Sequence, residues 1–162
     1  MKRLFVLPLI VLTLCGCSKI ETATPILKNI SFIAEIHYQE LDFVTSSNIT
    51  NDALNLTVTE PKNIEDLLLT IDKNGITAKF KGISHTCDAD SMPQSGAARI
   101  LYDIFLDISG NKEIVSKDDN CVINGMVDGY KYIFTFAPSG LPINLEVDEL
   151  DLYVNFKNVT VN

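Results

Sequence analysis

The strongest constraint on the fold is an apolar residue at every second position over most of the chain. In the segment 30–37, Ile30, Phe32, Ala34 and Ile36 point one way while Ser31, Glu35 and His37 point the other, which is the period of a half-buried β-strand. The same period predicts strands at 54–59, 67–71, 76–81, 113–117, 121–127, 130–136, 143–147 and 152–156. Hairpin turns are indicated at Asn74-Gly75, Asp128-Gly129 and Pro138-Ser139-Gly140, so neighbouring strands should pair antiparallel.

One segment between the two series of strands has the helical period instead. Over 95–109 the apolar residues recur three and four positions apart, and they are Ala97, Ile100, Leu101, Ile104, Phe105 and Ile108. Pro93 precedes the segment and Gly110 follows it, as is usual at the two ends of a helix. The pattern predicts one amphipathic helix.

These elements predict a mainly β (α+β) fold. About ten short strands and one helix are most simply combined as a strongly curved antiparallel sheet, or incomplete β-barrel, wrapped around the central amphipathic helix, because each strand offers one apolar face. The total length of 162 residues is about that of one domain.

The concave face of such a sheet is the candidate binding surface. Its apolar side chains are Phe32, Ile36, Leu54, Leu56, Leu69, Phe80, Leu101, Phe105, Tyr132, Phe134, Leu145, Leu152, Val154 and Phe156. They could line a pocket for an acyl chain or another apolar ligand between sheet and helix. Alternatively, the helix fills the concavity and these residues form an ordinary core. A second lid besides the helix could come from the segment 41–49.

The N-terminus predicts export and lipidation. Lys2 and Arg3 precede an apolar run, 4–14, that is too short to span a bilayer but fits a signal peptide. Leu14-Cys15-Gly16-Cys17 then resembles the bacterial lipobox, which implies cleavage after Gly16 and diacylglycerol on Cys17. The chain therefore divides into a signal peptide (1–16), a lipidated N-terminus and tether (17–28) and a half-barrel domain (29–162).

Charge restricts the possible partners. The whole chain has a net charge of −8, and the mature chain keeps 11 Lys and Arg against 21 Asp and Glu, a net charge of −10. Binding to nucleic acid requires a basic surface, so nucleic acid is not an expected partner. The expected attachment to the cell membrane is through the lipid, on the extracytoplasmic face.

Cysteine and histidine leave two further possibilities open. In an extracytoplasmic setting Cys87 and Cys121 could form a disulfide, or they could be unpaired thiols that pack as small apolar residues. If they lie close together, the segment 85–90 and the acids at 118–119 could hold a divalent ion. Loop and helix-entry turn roles explain Asp88 and Asp90 better, so no metal ligand and no cofactor is assigned.

Catalytic patterns are missing from the sequence. The histidines are His37, on the polar face of a strand, and His85. No nucleophile elbow surrounds a serine or cysteine, and no Gly-rich phosphate loop occurs. We therefore expect no enzyme activity.

The layout resembles a family of small surface lipoproteins of low-GC Gram-positive anaerobes, which are similar to the LolA/LolB-like lipoprotein-carrier superfamily. The residues that carry the resemblance are the lipobox, Asp88 and Asp90 ahead of the run 91–95, the turn 140–143 and the closing 156–158. The resemblance implies an incomplete antiparallel barrel with a helical lid over an apolar cavity. An anchor at Cys17 would prevent a long-range shuttle.

Three hypotheses for the function follow. The first is a membrane-anchored lipoprotein that binds a lipid or other apolar ligand in its concavity. The second is a non-enzymatic envelope interaction or regulatory protein with a filled core. The third is a metal-binding surface protein.

Overall fold

The computed structural model describes residues 23–50, 53–91, 96–110, 112–117 and 119–162. The signal peptide, the lipobox with Cys17, the run 92–95 and Asp118 lie outside the described residues. The strands are β1 (Ile30–Tyr38), β2 (Leu41–Thr50), β3 (Ala53–Glu60), β4 (Leu68–Asp72), β5 (Gly75–Phe80), β6 (Ile83–Asp88), β7 (Ile114–Lys117), β8 (Asn120–Val127), β9 (Tyr130–Phe136), β10 (Pro142–Val147) and β11 (Leu152–Val161). The helix α1 spans Ala97–Ile108.

The described strands form one sheet of eleven strands in the order β6-β5-β4-β3-β2-β1-β11-β10-β9-β8-β7. Every neighbouring pair is antiparallel. The helix α1 packs against both β4 and β8, which are third and tenth in this order. A sheet that meets one helix from two such distant strands must curve around it, so the predicted fold class is confirmed.

The nine strands predicted from alternation are present, and two more were missed. The strand β2 corrects the lid hypothesis for 41–49, because this segment lies in the middle of the sheet between β1 and β3. Its inward positions include Thr45 and Ser47, which are buried polar residues whose hydroxyl oxygens lie 2.8 Å apart. Two polar residues on the buried face hide the alternation. The strand β6 was missed because it is polar and almost wholly exposed.

The hairpin at 72–75 is confirmed, but Gly75 has a different role from the one predicted. Asp72 pairs with Gly75, so Lys73 and Asn74 form the turn and Gly75 begins β5. A Cβ atom on Gly75 would lie 2.0 Å from the carbonyl oxygen of Cys87 on β6. The glycine is therefore required by the close approach of the next strand. Asp128-Gly129 forms the predicted two-residue turn, with positive φ at both positions.

The core lies between the helix and the concave face. An aromatic cluster occupies its centre: the ring of Phe32 lies 6.5 Å from that of Phe105 on α1 and 5.3 Å from that of Phe156 on β11. Phe134 lies 6.3 Å from the same Phe156. The edge-to-face geometry of these three contacts is favourable for aromatic pairs.

The described part of the expected tether packs on the domain. Leu27 is buried in the core, and the backbone N–H of Ile26 donates a 2.8 Å hydrogen bond to the carbonyl of Gly140. The folded domain therefore begins before residue 29 and includes Ile26 and Leu27. Within the described ranges, no helix has the length and apolar character needed to cross a membrane.

Candidate functional site

A wholly apolar pocket opens at the N-terminal end of α1. It has a volume of about 300 Å³ and lies between the helix, the strands β1 to β4 and the short turn around Ile64. We call it the apolar pocket. Its lining residues are Ile36, Tyr38, Leu41, Phe43, Thr45, Leu56, Val58, Ile64, Leu67, Leu69, Ala97, Ala98 and Leu101.

The floor of the apolar pocket is rigid and its rim is open. Ile36, Leu56, Val58 and Leu101 are buried and belong to the sheet and helix core. Leu41, at the rim, has 53% of its surface exposed. Ligand-binding pockets commonly have a buried apolar floor and exposed apolar side chains at the rim, and the bound ligand covers these side chains.

The pocket exists because the helix begins with small residues. Ala97 and Ala98 face the strands at the N-terminal end of α1, whereas Ile104, Phe105 and Ile108 fill the corresponding space at its C-terminal end. Alanine leaves unfilled the volume that a longer side chain would occupy. The apolar pocket and the packed core therefore coexist around one helix.

The predicted pocket residues divide accordingly. Four of them line the apolar pocket: Ile36, Leu56, Leu69 and Leu101. Nine others are buried in the core and do not line it, namely Phe32, Leu54, Phe105, Tyr132, Phe134, Leu145, Leu152, Val154 and Phe156. For these nine the prediction of a lining of the apolar pocket is corrected, because they pack within the core cluster.

Phe80 lies in neither place. It is half-buried near the end of β5, outside the core cluster, and the Nζ of Lys81 lies 4.9 Å from the centroid of its ring. Ile76 on the same strand packs against the core cluster, whereas Phe80, four residues further along β5, does not. Phe80 is corrected from a pocket residue to a surface aromatic.

Polar groups are scarce in the apolar pocket. Its lining contains the hydroxyl groups of Tyr38 and Thr45, and both already have partners: Tyr38 accepts a 3.2 Å hydrogen bond from the Nε2 of Gln39, and Thr45 bonds with Ser47. Among the residues that the structure describes, no Asp, Glu, Lys, Arg or His lines it. Such a wall can hold an apolar chain by excluding water, but it offers no charge to a polar head group.

A histidine and two acids lie on the outer side of the same hairpin. The Nδ1 of His37 donates to Asp42 at 2.7 Å, and its Nε2 lies 3.8 Å from a carboxylate oxygen of Asp151. The hydrogen bond with Asp42, followed by the negative charges of both acids, raises the pKa of His37. As expected from the sequence, His37 is on the polar face, where it connects β1 to β2 and to the turn before β11.

The C-terminal end of α1 is held by a buried tyrosine. Tyr132 on β9 is 1% exposed, and its hydroxyl donates a 2.7 Å hydrogen bond to Asp107. The Nζ of Lys112 binds the other carboxylate oxygen of Asp107 at 2.7 Å. Burial, and then the neighbouring Asp107, raise the pKa of Tyr132 above its ordinary value. These contacts fix the filled end of the helix.

Cys87 and Cys121 are both free. Cys87 lies on β6 and Cys121 on β8, the first and tenth strands of the sheet, which corrects the disulfide alternative. The convergence required for the metal hypothesis is not formed either. Among the described residues, no three His, Cys, Asp or Glu side chains are grouped closely enough to hold a metal ion.

The residues that sequence reasoning missed are mostly at the rim. Tyr38, Leu41 and Phe43 belong to the β1–β2 hairpin, and Ile64 and Leu67 to the connection before β4. The adjacent alanines Ala97 and Ala98 were the available signal, since they are the smallest residues on the buried face of the predicted helix.

Comparison with known proteins adds one solved structure to this description. No protein-family model matches the chain, and no curated protein matches it. Among solved structures the chain is similar to the LolA superfamily protein NE2245 from Nitrosomonas europaea, with 10% sequence identity and a TM-score of 0.41. The match covers 88% of this chain and 91% of that chain.

Proposed function

We propose that this protein is a non-enzymatic, membrane-anchored lipoprotein of the extracytoplasmic face, and that its domain binds an acyl chain or a similar apolar ligand in the apolar pocket. The observation that carries the proposal is the pocket itself: about 300 Å³, lined by apolar side chains and by two hydroxyl groups, beside an exposed Leu41. Anchoring through Cys17 rests on the lipobox in the sequence.

The size and lining indicate the class of ligand. Small-molecule pockets span roughly 300–1,000 Å³, so this one is at the small end and suits a single chain better than a pair of chains. Each methylene group removed from water contributes about 0.8 kcal/mol. With no charged residue in the wall, this term provides most of the affinity, and the ligand's polar end would remain at the rim.

A tryptophan scan at two positions of α1 tests the proposal. In a chain lacking residues 1–17, Ala98→Trp would fill the apolar pocket, whereas Leu106→Trp adds the same side chain at a position that is 46% exposed. We expect Ala98→Trp to abolish uptake of a fluorescent fatty acid and Leu106→Trp to leave it unchanged. Native mass spectrometry of the purified unaltered domain should find bound lipid.

Two results would contradict the proposal. If the unaltered domain carries no lipid and takes up no fatty acid, the pocket is not a lipid site. If Ala98→Trp and Leu106→Trp bind equally, the ligand lies elsewhere. Anchoring is tested separately: Cys17→Ala should move the full-length protein from the membrane fraction to the soluble fraction, and its retention in the membrane would contradict lipidation.

A second candidate function is an envelope interaction protein. The supporting observation is that the buried aromatic rings and α1 pack into one core cluster that includes residues of β8 to β11. In that case fatty-acid uptake would be absent, and Ala98→Trp would change only stability.

A further inference from the structure

The strand β6 is an open edge of the described sheet. An edge strand presents unpaired N–H and C=O groups, and proteins usually blunt it by short length, lysine, proline or a bulge. The other edge, β7, has four residues. In contrast, β6 has six residues, contains neither Pro nor Lys, and pairs with β5 without a register shift. All of its residues except Cys87 are exposed, including Ile83 at 74%.

The hydrogen-bonding pattern shows which groups of β6 face outward. The N–H of Ala89 donates a 3.0 Å bond to the carbonyl of Asn74, so these two residues form a hydrogen-bonded pair. In an antiparallel ladder such pairs recur at every second residue. Cys87, His85 and Ile83 therefore bond to β5, and the N–H and C=O groups of Asp88, Thr86 and Ser84 point away from the sheet.

We propose that β6 pairs antiparallel with β6 of a second copy of this chain, about a two-fold axis at Thr86. In this register Thr86 is opposite Thr86 of the second copy, and Ser84 is opposite Asp88 of the second copy. Each of these residues has its free backbone groups on the outer edge, so the two edges satisfy one another. A two-fold interface is also the commonest kind in homo-oligomers.

Charge favours this register. Lys79 on β5 is opposite Ser84 and on the same face of the sheet. Pairing with the second copy extends that row to Lys79, Ser84 and then Asp88 of the second copy, which places a cation and an anion on one face two strands apart. The symmetry produces this pairing twice. The two charges are roughly 10 Å apart, two strand spacings, so their attraction is weaker than that of a directly opposed pair.

The interface is independent of the apolar pocket, which lies on β1 to β4. Cross-linking in the full-length chain, in membranes of the expressing cells, tests it. In a hydrogen-bonded pair the Cα atoms are about 5.5 Å apart, within disulfide range, so Thr86→Cys should link two copies. Ser84→Cys is the matched control, because its equivalents would be four residues out of register, roughly 14 Å apart.

Both variants also contain the native Cys87, so a disulfide between two Cys87 residues would be a background product. The two Cys87 residues would be two residues out of register, about 8 Å apart, which is too far for a disulfide. On oxidation we expect Thr86→Cys to give a covalent dimer about tenfold more abundant than Ser84→Cys or the unaltered chain give, as the disulfide distance limits require. Equal linking of the two variants, a ladder of higher oligomers, or a product with another protein in place of the dimer would overturn the proposal.

A proline variant gives a second, independent measurement. The N–H of Thr86 points outward and is not used by β5, so Thr86→Pro should preserve the fold while removing a donor from the interface. We expect the detergent-solubilised full-length Thr86→Pro protein to be monomeric at concentrations where the unaltered chain is dimeric, with the same far-ultraviolet circular dichroism. A Thr86→Pro protein that remains folded and dimeric would overturn the proposal.

Discussion

Two phenylalanines on the same sheet should differ sharply in their contribution to stability. Phe134 on β9 is fully buried, and its ring lies 5.8 Å from that of Phe136 and 6.3 Å from that of Phe156. Truncation of such a buried ring costs about 3–5 kcal/mol, because the transfer free energy is lost and a cavity remains. Phe80, near the end of β5, is half-buried and outside the core cluster.

The expected cost of Phe80→Ala is much smaller. Its ring has one distinctive contact, the Nζ of Lys81, and a cation–π contact at an exposed site contributes about 0.5–1 kcal/mol. We therefore expect Phe80→Ala to lower the free energy of unfolding by about 1 kcal/mol and Phe134→Ala by about 4 kcal/mol. The difference between these two losses of unfolding free energy depends on where the helix lies relative to the strands β5 and β9.

Urea titration of the chain lacking residues 1–17, followed by far-ultraviolet circular dichroism, measures both values. With a slope of about 2 kcal/mol per M, Phe134→Ala should move the unfolding midpoint by roughly 2 M and Phe80→Ala by about 0.5 M. The slopes of the three proteins should agree, so that the midpoints report stability alone. Equal midpoint shifts would refute the reasoning, because they would place Phe80 in the same core as Phe134.

Three further results are expected at other positions. Gly125→Ala should destabilise the fold by about 1–3 kcal/mol in the same titration, since the added Cβ would lie 2.2 Å from the buried ring of Tyr132; an unchanged midpoint would contradict the packing. Tyr132→Phe removes the hydrogen bond to Asp107 and should cost about 1–3 kcal/mol, and no loss would mean that the bond is not formed. Asp42 raises the pKa of His37 in the folded protein. The His37–Asp42 pair therefore stabilises the fold fully at pH values below the pKa that His37 has in the unfolded chain, and this stabilisation is lost as pH rises through the pKa of His37 in the folded protein. In an NMR titration, Asp42→Asn should lower the pKa of His37 toward 6.5, and an unchanged value would refute the pairing.

Periodicity and turn residues were sufficient to predict nine of the strands, the helix and the antiparallel pairing of strands that follow one another in the chain. Apolar residues recur at every second position in these strands and at three and four residues in the helix, and each period indicates which face is buried. The strand β2 escaped because Thr45 and Ser47 occupy buried positions, where they satisfy each other's hydroxyl groups. A local pattern cannot indicate that a polar residue will find a partner after folding.

The residues of the candidate site depended on tertiary structure to a greater extent than the strands and the helix did. In the sequence, Phe80 and Phe134 occupy equivalent places in two alternating strands, and only the position of α1 across the sheet buries one and leaves the other at the surface. Likewise, the sequence left the pairing of Cys87 and Cys121 open, and only the strand order shows that they lie on the first and tenth strands of the sheet.

What the sequence determined by itself is the apolar face of each element, because side-chain direction follows from the backbone period. What only the tertiary structure decided is how much of that face is covered. The helix covers β8 to β11 with Ile104, Phe105 and Ile108, whereas at its other end Ala97 and Ala98 leave the apolar pocket. The two ends of the helix differ in the volume of the side chains that face the sheet across the space between sheet and helix. The sequence of a single strand or helix does not specify how well that space is filled.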